Sequence, residues 1–131
     1  MKVFLDTNVW LSAIVFPGLC AELLATLAET EHELLSSELV RAETHEVLRR
    51  KFARHEQALA LFDRLWAETR CIADVDAPSD DADARLVTAA AQSGADLFVT
   101  GDQRVLGWES QGALRIVSPR EAWGTLFTPV P

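Results

Sequence analysis

Short apolar runs alternate with longer segments of helical period along nearly the whole chain, and that alternation constrains the fold more than any other feature. Val3–Leu5, Glu33–Ser36, Cys71–Val75, Leu97–Thr100 and Leu114–Val117 have the length and flanking turn residues of strands. Between them, Asn8–Val15, Leu19–Thr30, Glu38–Arg50, Arg54–Arg70 and Asp83–Ser93 carry helical patterns, and Arg120–Phe127 follows the last strand. Pro17-Gly18 divides the first two helices, Ser37 stands where a cap for the third belongs, and Gly94 follows the helix that Asp83 opens. Successive parallel strands need a helical crossover between them. The order therefore predicts a doubly wound α/β fold, with a parallel, roughly five-stranded sheet and helices on both faces.

A length of 131 residues, 49% hydrophobic, suits a single domain over 1–131 that buries roughly two-thirds of the surface its unfolded chain would expose. No apolar run reaches the ~18 residues needed to span a bilayer; Leu11–Leu27 is broken by Ser12, Pro17, Gly18 and Glu22. Met1–Asp6 has a strand's length without a signal peptide's apolar core or cleavage site, so the expectation is a cytoplasmic protein with no membrane partner. Cys20 and Cys71 lack metal-ligand spacing and are expected to be buried free thiols. A net charge of -8 argues against a passive nucleic-acid-binding module, whose phosphate contacts come from Lys and Arg. It does not exclude a nuclease, because carboxylates clustered around divalent cations make a chain acidic while the bound metal inverts the local field.

Four acids occupy positions that this topology gathers along one edge. Asp6 follows the first strand and Asp102 follows Leu97–Gly101, so both stand at carboxyl ends of strands, where open α/β sheets bind ligands. Asp83 begins the helix that descends from the strand ending near Val75, and Glu43 lies about a turn and a half into the helix after the second strand. Taken singly, Asp6 reads equally as an Asx-turn or cap, Asp83 as a cap, Asp102 as a turn residue, and Glu43 as a solvated helix residue one turn from Glu46. Asp80 and Asp81 read as a solvated turn. Joint placement favours a metal site, because two carboxylates about 4 Å apart repel by roughly 4 kcal/mol at an effective dielectric of ~20 and a divalent ion removes that penalty. Hard oxygen ligands select Mg²⁺ or Mn²⁺ over Zn²⁺, and His32, His45 and His55 have no zinc-type pairing with the cysteines. Metal-assisted phosphodiester hydrolysis fits such a site best.

Phe4-Leu5-Asp6-Thr7-Asn8-Val9, the segment Ser37–Glu43 leading to Val47-Leu48, Asp80-Asp81-Ala82-Asp83 and Leu97–Asp102 resemble, in order and spacing, the four motifs of PIN-domain ribonucleases. Within that superfamily the chain is most similar to the VapC-like toxin components of toxin–antitoxin systems. The resemblance implies a three-layer α/β/α sandwich and a Mg²⁺- or Mn²⁺-dependent endoribonuclease acting on RNA. It also implies frequent homodimers and inhibition by a cognate antitoxin of a type II pair. By motif position, Asp6, Glu43, Asp83 and Asp102 would be the metal-binding and catalytic acids, with Thr7, Asn8 and Thr100 in support. Two positions depart from the pattern. Ala82 stands where relatives often have an acid, and Gln103-Arg104 follows Asp102 where a further acid is common. Arg104 reads as a loop arginine, with phosphate contact as the alternative.

Arg49, Arg50, Lys51 and Arg54 form a basic cluster that reads equally as an RNA guide or as a solvated helix end. Trp10, Trp66, Trp108 and Trp123 are expected mainly in the core, with base stacking as the alternative. A phosphatase forming an aspartyl-phosphate on Asp6 is disfavoured, since Asn8 replaces the second acid and a lysine-bearing phosphate motif is missing. The absence of Gly-x-Gly-x-x-Gly after the first strand excludes a dinucleotide-binding domain. A degenerate, non-catalytic binding module remains as the alternative from another class.

Overall fold

A computed structural model describes residues 1–127. Its elements run β1 (Lys2–Leu5), α1 (Thr7–Val15), α2 (Leu19–Ala28), β2 (Glu33–Ser37), α3 (Glu38–Lys51), α4 (Glu56–Ala67) and β3 (Arg70–Ile72). They continue with α5 (Ala82–Gln92), β4 (Leu97–Val99), α6 (Gln103–Leu106), β5 (Ser110–Gln111), β6 (Leu114–Val117) and α7 (Pro119–Phe127). The sheet order is β3-β2-β1-β4-β6-β5, parallel throughout except for β5, which pairs antiparallel with β6 at the edge. The crossovers β1→β2→β3 step one way along the sheet and carry α1 to α4. The β3→β4 crossover steps back across β1 and carries α5. Right-handed connections then put these two sets on opposite faces, giving the α/β architecture expected.

The central strands are apolar on both faces because both faces are covered. Val3, Phe4, Leu5, Leu97, Phe98 and Val99 are essentially inaccessible, and Phe4 stacks on its register partner Phe98 with centroids 5.4 Å apart. Burying each such side chain stabilises the fold by about 1.5–3 kcal/mol, and the ring pair adds about 0.5–1.5 kcal/mol. On the α1 side, the buried Trp10 meets Phe62 of α4 edge to face, and His45 Nε2 of α3 stands 2.6 Å from Asp63 Oδ1 of α4. Pro17-Gly18 separates α1 and α2, which bend by 98° and bury Val9, Trp10, Leu23, Leu24 and Leu27 in the core. Among the described residues no single helix is long and apolar enough to cross a membrane.

Several boundaries differ from the sequence expectation for local reasons. The second helix stops at Ala28 because the Thr30 hydroxyl donates to Leu27 O. The fourth begins at Glu56 rather than Arg54 and ends at Ala67, since Arg70 already pairs in register with Leu35. The third strand ends at Ile72 instead of Val75: Asp74 leaves the sheet and accepts Leu39 N–H at 3.0 Å. That contact caps α3 from outside, whereas Ser37, at the N-cap position, makes no side-chain cap bond. The short strand β5 and the single turn α6 add to the five strands and six helices expected. Both cysteines are free, but Cys71 is exposed on the outermost parallel strand and Cys20 is half-buried, against the expectation of buried thiols.

Candidate active site

The sheet order places the topological switch between β1 and β4, and both strands end at that crevice. Asp6 N–H donates to Val99 O at 2.9 Å, which ties the two strand ends together. Asp6 is the N-cap of α1. Its Oδ1 accepts Thr7 N–H at 2.8 Å, while Oδ2 accepts the Thr100 hydroxyl at 2.7 Å and Asn8 Nδ2 at 3.3 Å. Thr100 Oγ1 also accepts Asp102 N–H at 3.1 Å, and Asn8 Oδ1 accepts Gly101 N–H at 3.3 Å. The residues named as supporting groups therefore join the two strand ends, with Thr100 between two of the acids. Thr7 contributes through its backbone; its buried hydroxyl has no hydrogen-bond partner.

Asp102 caps α6 by accepting Arg104 and Val105 N–H at Oδ1. Asp83 is the second residue of α5 rather than its opener. The cap is Asp81, whose Oδ1 accepts Ala84 N–H at 3.1 Å. Glu43 projects from α3, with Oε1 buried and lacking a hydrogen-bond partner. Glu46 on the same helix pairs instead with Arg50 at 2.7 Å on the solvent side.

Electrostatics link all four acids. Asp6 is only 4% exposed, and burial pushes its carboxyl up to about 6; hydrogen bonds from Thr100 and Thr7 oppose the rise, and the charges of Asp83 and Asp102 reinforce it. Burial, then the charges of Asp6 and Asp83, push the Glu43 carboxyl up to about 7 against the pull of Arg85. Asp83 is raised by burial and by Asp102, with Arg104 working the other way. Each acid thus feels at least one of the others, and the cluster predicted from topology is one cluster in space.

Sequence reasoning missed three members of this neighbourhood. Asp74 adds to the charge felt by Glu43 and has a second buried oxygen without a partner; its one signal was an acid just past the third strand. Arg85 lies one turn after Asp81 and is anchored by Nε donating to Val75 O at 2.8 Å. Asp81 is no solvated turn residue: it caps α5 and pairs with Arg104, which also donates to Asp83 Oδ2 at 3.2 Å. Among the described residues, no three His, Cys, Asp or Glu side chains stand, as they are, in an arrangement that could hold a metal ion. Thr7, Asn8 and Thr100 engage Asp6, Arg104 engages Asp83 and the α6 amides engage Asp102, so three of the four acids face other partners here. The donor set nonetheless fits a hard divalent cation, because it is all oxygen and leaves a buried Glu43 oxygen with nothing to bind.

A cavity of about 800 Å³, between Ile14 and the Arg54–Arg64 stretch leading into α4, contains none of these acids. A smaller one of about 330 Å³ borders them, lined in part by Asn8, Ser12, Gly101 and Asp102. A site for a phosphodiester chain needs open access and concentrated charge more than enclosure, so the acids rather than the larger cavity mark the site. Trp10 is core, Trp66 donates to Ser36 Oγ and Trp123 packs on Phe127, while Trp108 is exposed beside Arg104.

A family model described as PIN domain matches residues 2–104, a span that includes all four acids. The chain belongs to the PIN-domain family. A solved structure similar to this PIN domain is the crystal structure of VapBC2 from Rickettsia felis bound to a DNA fragment from their promoter. The two share 18% identity over 90% of this chain and 98% of that one, with a TM-score of 0.61, a likeness of fold. No curated protein matches this PIN domain.

Proposed function

We propose that this chain, acting as a single domain, is a divalent-metal-dependent endoribonuclease. The observation that carries the reading is the half-buried Glu43 carboxylate, whose Oε1 is inaccessible and without a hydrogen-bond partner, and which burial, Asp6 and Asp83 push up to about 7. A carboxylate raised this far beside two others, only partly offset by Arg85, has no structural rationale, since a scaffold gains nothing from clustered like charge. Asp6, Glu43, Asp83 and Asp102 would hold Mg²⁺ or Mn²⁺. The ion's chemistry at such a site is Lewis-acid activation and neutralisation of charge at the phosphate.

The chain's own groups supply the rest. Thr100 and Asn8 fix Asp6 Oδ2 toward the crevice, and the Thr7 N–H fixes Oδ1. Glu43 either joins the ion's ligands or orients the attacking water and takes up its proton, a role suited to a carboxyl held near neutrality. Attack of water yields a 5′-phosphate and a 3′-hydroxyl. PIN-domain membership and the fold likeness to the VapBC2 structure support placing the chain as the toxin of a type II pair, with a cognate antitoxin as partner and a homodimer as its assembly.

Cleavage of a labelled RNA pool with Mn²⁺, Mg²⁺ or chelator, for wild type and Asp6→Asn, tests the activity. Metal-dependent cutting abolished by the substitution supports it, and products ending in 2′,3′-cyclic phosphate overturn the mechanism. The contact of Arg104 with Asp83 favours a second reading, a non-catalytic binding module whose acids are neutralised by arginine. Lack of any Mn²⁺ affinity would decide for that module.

A further inference from the structure

Arg104 crosses the mouth of the acidic cluster, and three contacts fix how its guanidinium lies. Nη2 pairs with Asp81 Oδ2, Nη1 donates to Asp83 Oδ2 at 3.2 Å, and the guanidinium carbon stands 4.9 Å from the centre of the Trp108 ring. Its backbone N–H donates to Asp102 Oδ1 at 2.8 Å, so the residue is built onto one of the four acids while its side chain reaches another. Two of the side-chain contacts, Asp81 and Trp108, lie outside the four acids. Only the Asp83 contact competes with a metal ion.

We propose that Arg104 is the phosphate-binding residue of this site: clamped by Asp81 and Trp108, its Nη1 edge takes a non-bridging phosphodiester oxygen of single-stranded RNA when Asp83 turns to the metal. The inference rests on the nuclease reading above and adds to it how an acidic protein holds a polyanion. A guanidinium is a planar fork that can keep a carboxylate on one edge and accept a phosphate on another, with an aromatic ring behind its face. Asp81 stays available as the anchor, since it stands outside the four acids and its other oxygen is fixed by the Ala84 N–H at 3.1 Å. Trp108 is 37% exposed and the Arg104 side chain 53% exposed, so a strand can reach both. A lysine would reach one partner but could not keep the other, because it offers a point charge without a second edge.

The alternative is that Arg104 merely ties α6 to α5. Two titrations separate the roles, on wild type, Arg104→Ala, Arg104→Lys and Trp108→Leu: Mn²⁺ by calorimetry, and fluorescein-labelled oligo(U) by anisotropy in Ca²⁺, with strand integrity checked on a gel. Arg104→Ala should bind Mn²⁺ at least as tightly as wild type, because a competing cation is gone. Its oligo(U) affinity should fall about tenfold, with the slope of log K against log salt shallower by about 0.7. Arg104→Lys should recover the slope but not the affinity, and Trp108→Leu should lose affinity at an unchanged slope. Parallel losses of Mn²⁺ and RNA affinity in Arg104→Ala, or an unchanged RNA affinity and slope, overturn the proposal while leaving the nuclease reading intact. A wild-type protein that binds neither Mn²⁺ nor RNA overturns both.

Discussion

Replacing Asp6 by Asn should stabilise the metal-free protein at pH 8 and destabilise it near pH 3. The Asp6 carboxyl titrates at about 6 in the folded chain against 3.8 unperturbed, a difference of about two units at about 1.4 kcal/mol each. The folded state therefore binds the proton more tightly than the unfolded state. The resulting stability is fully present below pH 4 and is lost as pH rises through 6, where ionised Asp6 costs about 3 kcal/mol. Asparagine carries no charge at any pH and caps a helix as well as aspartate does. It offers one acceptor oxygen where Asp6 uses two, for Thr7 N–H and the Thr100 hydroxyl, at a cost of about 1 kcal/mol. The net expectation is about 2 kcal/mol of gain at pH 8 and about 1 kcal/mol of loss at pH 3, below the unfolded pKa, with the two effects cancelling near pH 4.5. Urea unfolding in chelator at both pH values measures this. With Mn²⁺ at 100 times its dissociation constant the wild type should gain about 2.7 kcal/mol at pH 8, and the variant much less. A variant less stable by the same margin at both pH values would refute the reasoning, since it would mean that Asp6 is an ordinary cap.

The same electrostatics make further outcomes checkable. Apparent Mn²⁺ affinity should rise between pH 5 and 8, because Asp6 and Glu43, titrating at about 6 and about 7, must shed protons to bind; calorimetry in two buffers of different ionisation enthalpy should show net proton release. Thr100→Val removes the donor to Asp6 Oδ2 and the acceptor for Asp102 N–H, so stability should fall by about 1–3 kcal/mol in thermal melts, with a lower Mn²⁺ affinity. Asp74→Ala removes the acceptor of Leu39 N–H at the start of α3 and a like charge near Glu43. It should cost about 1 kcal/mol in urea unfolding at acid pH and less at pH 8.

What the sequence made legible was whatever repeats along it. Among the described residues, five of the six strands and six of the seven helices carry enough periodic residues to declare themselves, and their order predicts the sheet. Strand β5 escaped because Ser110–Gln111 is too short and too exposed for alternation to register; its marks are local, positive φ at Glu109 and Gly112. The turn α6 escaped because four residues are too few for a period, and it exists because Asp102 caps it. The four acids were legible from topology alone, since strand ends and first helical turns meet at one edge. Their partners were not. Asp74, Asp81 and Arg104 owe their positions to contacts between loops and helix starts far apart in the chain, such as Asp74 with Leu39, which no periodicity encodes.

The partners show how a chain of net charge -8 folds with four acids converging. Each acid is handled by a different device. Asp6 is held by Thr7, Asn8 and Thr100, Asp102 by the amides of α6, and Asp83 by Arg104, whereas Glu43 has no hydrogen-bond partner at its buried Oε1. The devices differ in how easily they yield. Neutral donors keep Asp6 and Asp102 in place whether or not a cation is bound, and they leave lone pairs free because each carboxylate has about four acceptor positions. An exposed ion pair such as Arg104–Asp83 contributes at most about 1 kcal/mol and exchanges readily for a divalent ion. The remaining cost therefore concentrates on Glu43, which Arg85 offsets only in part, and on the charge repulsion around Asp6. That is where a divalent ion brings the largest gain and where pH should act most strongly on the metal-free protein.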